Sequence, residues 1–428
     1  MNARAHGFAS RLALIAIAGL LLRVVYAVVV RHHAVGGDGF RYHFGAIRLA
    51  EGRGFVNPLD ARVPDTGHPP GWTIVLAGFT KLGLRTWLQQ QIATSLVGTA
   101  TIVMTGLAAR AAFGRVRIAL IAAAIAAFYP FVWLYEREVV SEPFAMLLIA
   151  TMIWAAFTFR AAPSLRLAVA LGGLMGALAM TESELIAIAV LLIAPLILMR
   201  SDVDLRRRIG WLASAAAVCV VIMAPWSIYL SIRFDRTVVL TGSIGGAMAA
   251  GNCAQTYHGE LLGYYQVTCV RGKVKGADPI AKDDDLRRRA VDFIRGHASR
   301  APVVMAARVG RTFGFFRPFQ QMRLETERGT PEWVFRVGFF AYWALLPFAV
   351  AGIALTRRRR ISVYPFLVFP VVVVLSVLLT IGSVRYRAPT EIPLVMVAAV
   401  GVDALIGAVA RRRSDRHPAR AVRGLTAL

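Results

Sequence analysis

Ten predominantly apolar runs recur along the chain, at 12–30, 88–111, 117–134, 141–159, 167–182, 184–199, 210–231, 333–356, 362–381 and 391–410. A helix needs about 20 such residues to cross a bilayer, so the pattern predicts an all-α polytopic membrane protein with about ten transmembrane helices. The polar cluster TESE at 181–184 interrupts the apolar sequence between 167 and 199. It predicts a tight hairpin between two short spans, with a re-entrant pair as the other reading. The first run has basic residues on both sides, is long for a signal-peptide core and lacks a small-residue cleavage site, which predicts a retained span.

Between the runs lie short basic connections: Arg115 with Arg117, Arg160 with Arg166, Arg206 with Arg207 and Arg208, and RRRR at 357–360. If spans alternate, these fall on one side together with Arg4 and the tail from Arg411, and the excess of arginine makes that side cytoplasmic. Both termini are then cytoplasmic, and the opposite face receives two long segments, 31–87 and 232–332, with short turns around Glu136 and Arg385. The expected organisation is a transmembrane module 1–231 containing the loop 31–87, an extracytoplasmic segment 232–332, C-terminal helices 333–410 and a basic cytoplasmic tail 411–428. Within the first loop, Phe40, Phe44, Ile47 and Leu49 have helical spacing and predict a short interfacial helix over 40–52; the stretch 70–84 predicts another. In the second, DDDLRRRAVDFIRGH at 283–297 starts acidic and turns basic, as a helix dipole prefers, and predicts an amphipathic helix continuing past 301.

Composition agrees with this picture. Of 428 residues 57% are hydrophobic and 17% charged, too apolar for an ordinary soluble domain. Lys and Arg number 49 against 24 Asp and Glu, a net charge of +25. With this hydropathy, contact with anionic lipid or phosphorylated ligands is the expected use of that charge, and nucleic acid is not an expected partner. Cys219 lies in an apolar run, whereas Cys253 and Cys269 sit in the second polar segment, where a disulfide requires an oxidising compartment.

Four motifs then carry a resemblance: GDGFRYH and LAEGRGF followed by HPPGW in the first loop; YEREVVSEP at 135–143; APWSIYLSIRFDRTVVLTGSIGGAMAAGN at 224–252; and RYRAP at 385–389. In this order and topology the chain resembles the polytopic GT-C glycosyltransferases, family 39 in particular, the group of protein O-mannosyltransferases and the bacterial aminoarabinose transferase. The resemblance implies transfer of a hexose or pentose from a polyprenyl phosphate carrier to a hydroxyl of a protein, lipid or glycan in the cell envelope, on the extracytoplasmic side. It also implies that Asp38 is the general base. Many members carry a second acidic residue beside this Asp. Gly37 and Gly39 flank it here, so an acidic pair for a divalent cation is not supported and no cofactor is assigned.

The chemistry of the residues fits such a reaction. The acceptor hydroxyl must lose a proton as it attacks an oxocarbenium-like anomeric carbon, and one carboxylate suffices as base. The departing phosphate needs fixed positive charge, which arginine supplies through planar paired donors. Arg41, Arg137, Arg385 and Arg387 all fall at the extracytoplasmic boundary and are the phosphate candidates. A single displacement predicts inversion. Tyr42, His68 and Glu142 are candidate substrate contacts, against structural readings in which His68 stiffens the turn before two prolines and Glu142 caps a helix. Asp38 itself could be a turn residue between glycines.

Other polar residues have plainer readings. Glu136 and Glu138 suit ion pairing, Glu182 and Glu184 a water-exposed turn, and Arg308, Arg311 and Arg317 the surface, with approach to the carrier phosphate as the other reading for these three. Arg23 is costly in lipid and should face the protein interior or snorkel. His32, His33 and His43 flank Asp38 without a recognised metal-ligand spacing. The stretch GGAMAAGN at 245–252 reads as either a close backbone approach to a ligand or a flexible loop. A transporter or flippase of lipid-linked glycan precursors is the rival from another class; it should show paired repeats and mid-membrane polar groups, whereas no repeat is seen here. A catalytically silent envelope scaffold is a further rival. No glycine-rich phosphate loop opens a nucleotide-binding unit.

Overall fold

The computed structural model describes residues 3–30, 37–271, 274–326 and 329–415. His32, His33, the Arg4 side chain and the tail beyond 415 lie outside the described residues. All ten apolar runs are helical. Helix α1 (Ala3–Val29) leads to the first polar segment, which holds α2 (Gly37–Ala50), a hairpin of β1 (Val56–Asn57) and β2 (Asp60–Pro64), and α3 (Gly71–Lys81). The hairpin has no counterpart in the sequence expectation. Next come α4 (Trp87–Phe113), α5 (Val116–Phe128), α6 (Pro130–Trp133), α7 (Glu142–Ala161), α8 (Leu165–Ala179), α9 (Ala194–Leu198) and α10 (Leu205–Phe234). The second polar segment carries α11 (Ile244–Gly251), α12 (Ala254–Tyr257), α13 (Pro279–Gly296), α14 (Ala301–Thr312) and α15 (Pro318–Glu325), before α16 (Glu332–Arg358), α17 (Tyr364–Leu379) and α18 (Ala388–Asp415).

Among the described residues six helices are long and apolar enough to cross a membrane by themselves, namely α1, α4, α7, α10, α16 and the segment 384–413. A seventh forms if α5 and 130–138 are taken as one span bent by 72°; Pro130, which cannot donate to the preceding turn, stands at the bend. The remaining runs give three shorter apolar helices: α8, the segment 183–198 and α17. The first two are cut short by the TESE cluster, whose polar side chains end α8 at Ala179.

Local chemistry sets the helix ends. Thr86 and Gln89 form a reciprocal cap at the start of α4, and Gly114 closes it in the left-handed conformation at φ 68°. Asp278 accepts from the Ala281 amide at 2.8 Å just ahead of Pro279, giving α13 its start. The centre of the bundle is α4, α5, α7 and α18; α1 lies on α4 and α5, α16 and α17 flank α18, and α8 joins α7 to α10. Small residues let these helices approach, since in lipid tight packing rather than apolar burial drives association. At Gly352 of α16 a Cβ would sit 1.8 Å from the Val397 carbonyl oxygen of α18.

Both polar segments meet at one end of the bundle. In the second, GGAMAAGN forms α11 rather than a loop, and its first amides, Gly245 and Gly246, donate to the Asp283 carboxylate of α13 at 2.9 and 2.8 Å. The single amphipathic helix expected from 283 onward is two helices, α13 and α14. Arg308 and Arg311 are not at the surface: both are essentially fully buried. Arg308 donates to the carbonyl oxygens of Leu378 and Gly251, both at 2.6 Å, and to Asn252 Oδ1 at 2.8 Å; Arg311 holds the carbonyls of Leu262 and Glu260. Burial lowers both guanidinium pKa values to about 10. These arginines satisfy loop carbonyls that would otherwise be unpaired. Arg317 is exposed, as expected, and donates to the carbonyls of Gly259 and Glu260.

A disulfide joins Cys253 to Cys269 across a sequence separation of 16. Closing a loop of that size stabilises the native segment by about 3 kcal/mol on the chain-entropy model. Replacing both cysteines with serine is therefore expected to lower thermal stability in detergent by that order. An unchanged melting temperature would assign the bond no stabilising role.

Candidate active site

A cavity of about 450 Å³ opens where the two polar segments meet the bundle, within the usual range for a small-molecule site. Asp38 reaches it from the first turn of α2, where a carboxylate suits the helix dipole. Its neighbour is glycine for a steric reason: a Cβ on residue 39 would lie 2.1 Å from the Glu138 carbonyl oxygen. The HPPGW turn supplies the second wall. Gly71 N–H donates to the Met180 carbonyl at 2.7 Å, and the buried Trp72 donates from Nε1 to the Val139 carbonyl at 3.0 Å. Held by these anchors and the stiff Pro69–Pro70 pair, His68 sets Nε2 3.2 Å from Asp38 Oδ1.

Arg385 comes from a 3-10 turn, Val384–Arg387, immediately before α18. Its Nη1 pairs with Asp38 Oδ2 and its Nε with Glu142 Oε1, the first residue of α7. Beside them a hydrogen-bonded chain runs from the Tyr42 hydroxyl to Ser141 Oγ at 3.2 Å and from Ser141 to Glu182 Oε1 at 2.5 Å. Burial pushes the Tyr42 hydroxyl well above its ordinary pKa, so it remains a donor. Its ring packs on His68 with centroids 5.0 Å apart.

Of the four candidate phosphate arginines, Arg385 lines this cavity. Arg41 pairs with Asp65 at 3.2 Å in an adjoining crevice. Arg137 is buried and donates to the carbonyls of Val30 and Gly329. Arg387 is wholly buried against Glu391, with its guanidinium 3.6 Å from the Tyr342 ring centroid. The reason is local: within a 3-10 turn, at three residues per turn, side chains two residues apart point to different sides, so RYR sends one guanidinium to the cavity and the other into the bundle. His68 and Glu142 line the cavity; Tyr42 stands behind His68.

His43 turns away from Asp38, with Nδ1 2.9 Å from Gln90 Oε1, and burial lowers its pKa. Glu136 pairs with Arg23, and Glu138 accepts from Thr330 Oγ1. Glu182 and Glu184 line the cavity rather than a water-exposed turn. Ser141, Glu182 and Glu184 are the site residues that the sequence reading did not assign. The signal was present: two carboxylates inside an otherwise apolar stretch are costly unless they face a cavity or partners. No group of three His, Cys, Asp or Glu side chains converges as a metal site among the described residues.

The fold is shared with solved structures. An oligosaccharyltransferase of Archaeoglobus fulgidus in its apo form matches at TM-score 0.55 and 15% identity over 96% of this chain and 52% of that one. The oligosaccharyltransferase AglB from Archaeoglobus fulgidus, in complex with an inhibitory peptide and a dolichol phosphate, matches at TM-score 0.52 and 14% identity, over 97% and 52%. ArnT of Cupriavidus metallidurans bound to undecaprenyl phosphate aligns at TM-score 0.45 and 18% identity over 94% and 80%. The chain spans about half the length of each of these two oligosaccharyltransferase chains. No protein-family model matches the sequence, and no curated protein does. The architecture is therefore that of a polytopic membrane protein that shares its fold with these oligosaccharyltransferase structures.

Proposed function

We propose that this protein is a membrane glycosyltransferase that moves a sugar from a polyprenyl phosphate carrier to a hydroxyl acceptor. The observation that carries the reading is one cavity holding a carboxylate, Asp38, in contact with both a guanidinium, Arg385, and an imidazole, His68. The shared fold supports it, as does the dolichol phosphate bound by the structurally similar AglB.

In this reading the acceptor oxygen attacks the anomeric carbon while Asp38 takes its proton. The bond from that carbon to the bridging phosphate oxygen breaks, and both electrons leave with the lipid phosphate. The donor is a phosphodiester and the product a monoester, so negative charge accumulates on the phosphate during the reaction. A fixed guanidinium beside it stabilises the transition state more than the ground state. A single displacement inverts the anomeric centre. His68 donates to the Asp38 carboxylate and fixes the oxygen that faces the acceptor. With the basic connections cytoplasmic, the cavity opens on the extracytoplasmic side and draws its donor from the membrane.

The test is incubation of the purified protein with a panel of labelled polyprenyl phosphate sugars. Release of free lipid phosphate with at least one of them, dependent on a hydroxyl acceptor, is expected. Binding of such lipids with no release from any, together with their movement across a vesicle membrane, would replace this reading with lipid transport.

A further inference from the structure

We propose that Arg385 is a donor-operated latch: in the resting protein it masks the base, and the arriving phosphate exchanges with Asp38 for the guanidinium. This inference rests on the function proposed above. It starts from the scarcity of cations at the site. Four carboxylates line the cavity, from Asp38, Glu142, Glu182 and Glu184, whereas Arg385 is the one guanidinium among its described lining residues. Burial holds the Glu182 and Glu184 carboxyls above their usual range, so they favour the neutral form, and the one cation that an entering phosphate needs is already engaged twice.

The two engagements are not equivalent. Arg385 and Glu142 are deeply enclosed, with side chains 12% and 8% exposed, whereas the Asp38 side chain is 34% exposed. Glu142 also starts α7, directly ahead of Pro143, so its backbone is fixed in the bundle. The partner that an incoming anion can replace is therefore Asp38, on the cavity side, while Glu142 keeps the guanidinium in position. Arginine suits such an exchange, because its planar fork presents donors along more than one edge and holds a phosphate as well as a carboxylate.

Exchange also explains how the same carboxylate serves as base. Contact with a guanidinium favours the ionised form of a carboxylate and weakens it as a proton acceptor. Once phosphate takes Arg385, Asp38 keeps His68, 3.2 Å away on its other oxygen, and with it an orientation toward the acceptor. Proton-accepting strength thus rises only when donor occupies the site. Glu142 acts here as a positioning residue, through Arg385.

The measurement is equilibrium binding of undecaprenyl phosphate to the full-length protein in lipid nanodiscs, with undecaprenol as the probe lacking phosphate. Removing the competing carboxylate in Asp38→Asn is expected to tighten undecaprenyl phosphate binding by roughly fivefold, the effect of releasing one partly exposed ion pair. Arg385→Gln is expected to lose that tightening when combined with Asp38→Asn. Undecaprenol should bind wild type and Asp38→Asn alike. Equal or weaker binding of undecaprenyl phosphate by Asp38→Asn overturns the exchange while leaving the glycosyltransferase reading intact; so does equal tightening for undecaprenol. A wild-type protein that binds no undecaprenyl phosphate overturns both.

Discussion

Asp38→Asn is expected to slow sugar transfer by about 10²–10⁴-fold, the usual contribution of a positioned general base. Asparagine preserves the size of the side chain and an oxygen for hydrogen bonding, so packing of α2 against α3 should persist. What disappears is the carboxylate charge, and with it the capacity to take a proton and the ion pair with Arg385. The loss should appear in the rate at saturating donor, without a matching loss of lipid affinity. Size-exclusion behaviour and melting temperature should stay near wild type. Transfer within a few-fold of wild type would remove Asp38 from the proton transfer and leave its contact with Arg385 as structural.

The largest expected effect on stability lies deeper in the bundle. Arg23 of α1 is 2% exposed and donates to Glu136 Oε1 at 2.8 Å, to the Ala127 carbonyl at 2.9 Å and to the Gly19 carbonyl at 3.0 Å. Gly98 of α4 makes the room: a Cβ there would sit 1.9 Å from Glu136 Oε1. Deleting one member of a buried pair leaves the other charged and unpaired, at a cost of about 3–5 kcal/mol. Glu136→Leu is therefore expected to lower the melting temperature in detergent far more than the double substitution Arg23→Leu with Glu136→Leu, which removes both charges. A double-mutant cycle reads this directly. If the single and double variants lose stability equally, the pair is not coupled and the packing of the surrounding helices accounts for the loss.

The glutamate that answers Arg23 illustrates what a linear reading can reach. An arginine in an apolar run must face a partner, and that much follows from the cost of charge in lipid. Which of Glu136, Glu138 and Glu142 it meets depends on how α1 crosses the turn after α6. Likewise RYRAP announces two arginines near the site, but only the 3-10 turn decides that Arg385 faces the cavity and Arg387 the aromatic pocket around Tyr342. Arg308 and Arg311 look like surface charges on an amphipathic pattern, yet the carbonyls of the loops packed over α14 bury them. Patterning reports a preference for water or lipid; it carries no information about unpaired backbone oxygens arriving from elsewhere.

Asp38 was reached through the resemblance of its loop to the GT-C transferases; the sequence by itself determined the helical runs, the basic residues between them and the placing of two cysteines in one polar segment. Each of these depends on interactions local in the chain or on transfer between water and lipid, which composition and period express. Tertiary structure alone decided the membership of the cavity. Asp38 and Arg385 lie 347 residues apart, and their meeting follows from how α2, α7 and α18 pack, a property of facing surfaces that no short stretch of sequence encodes.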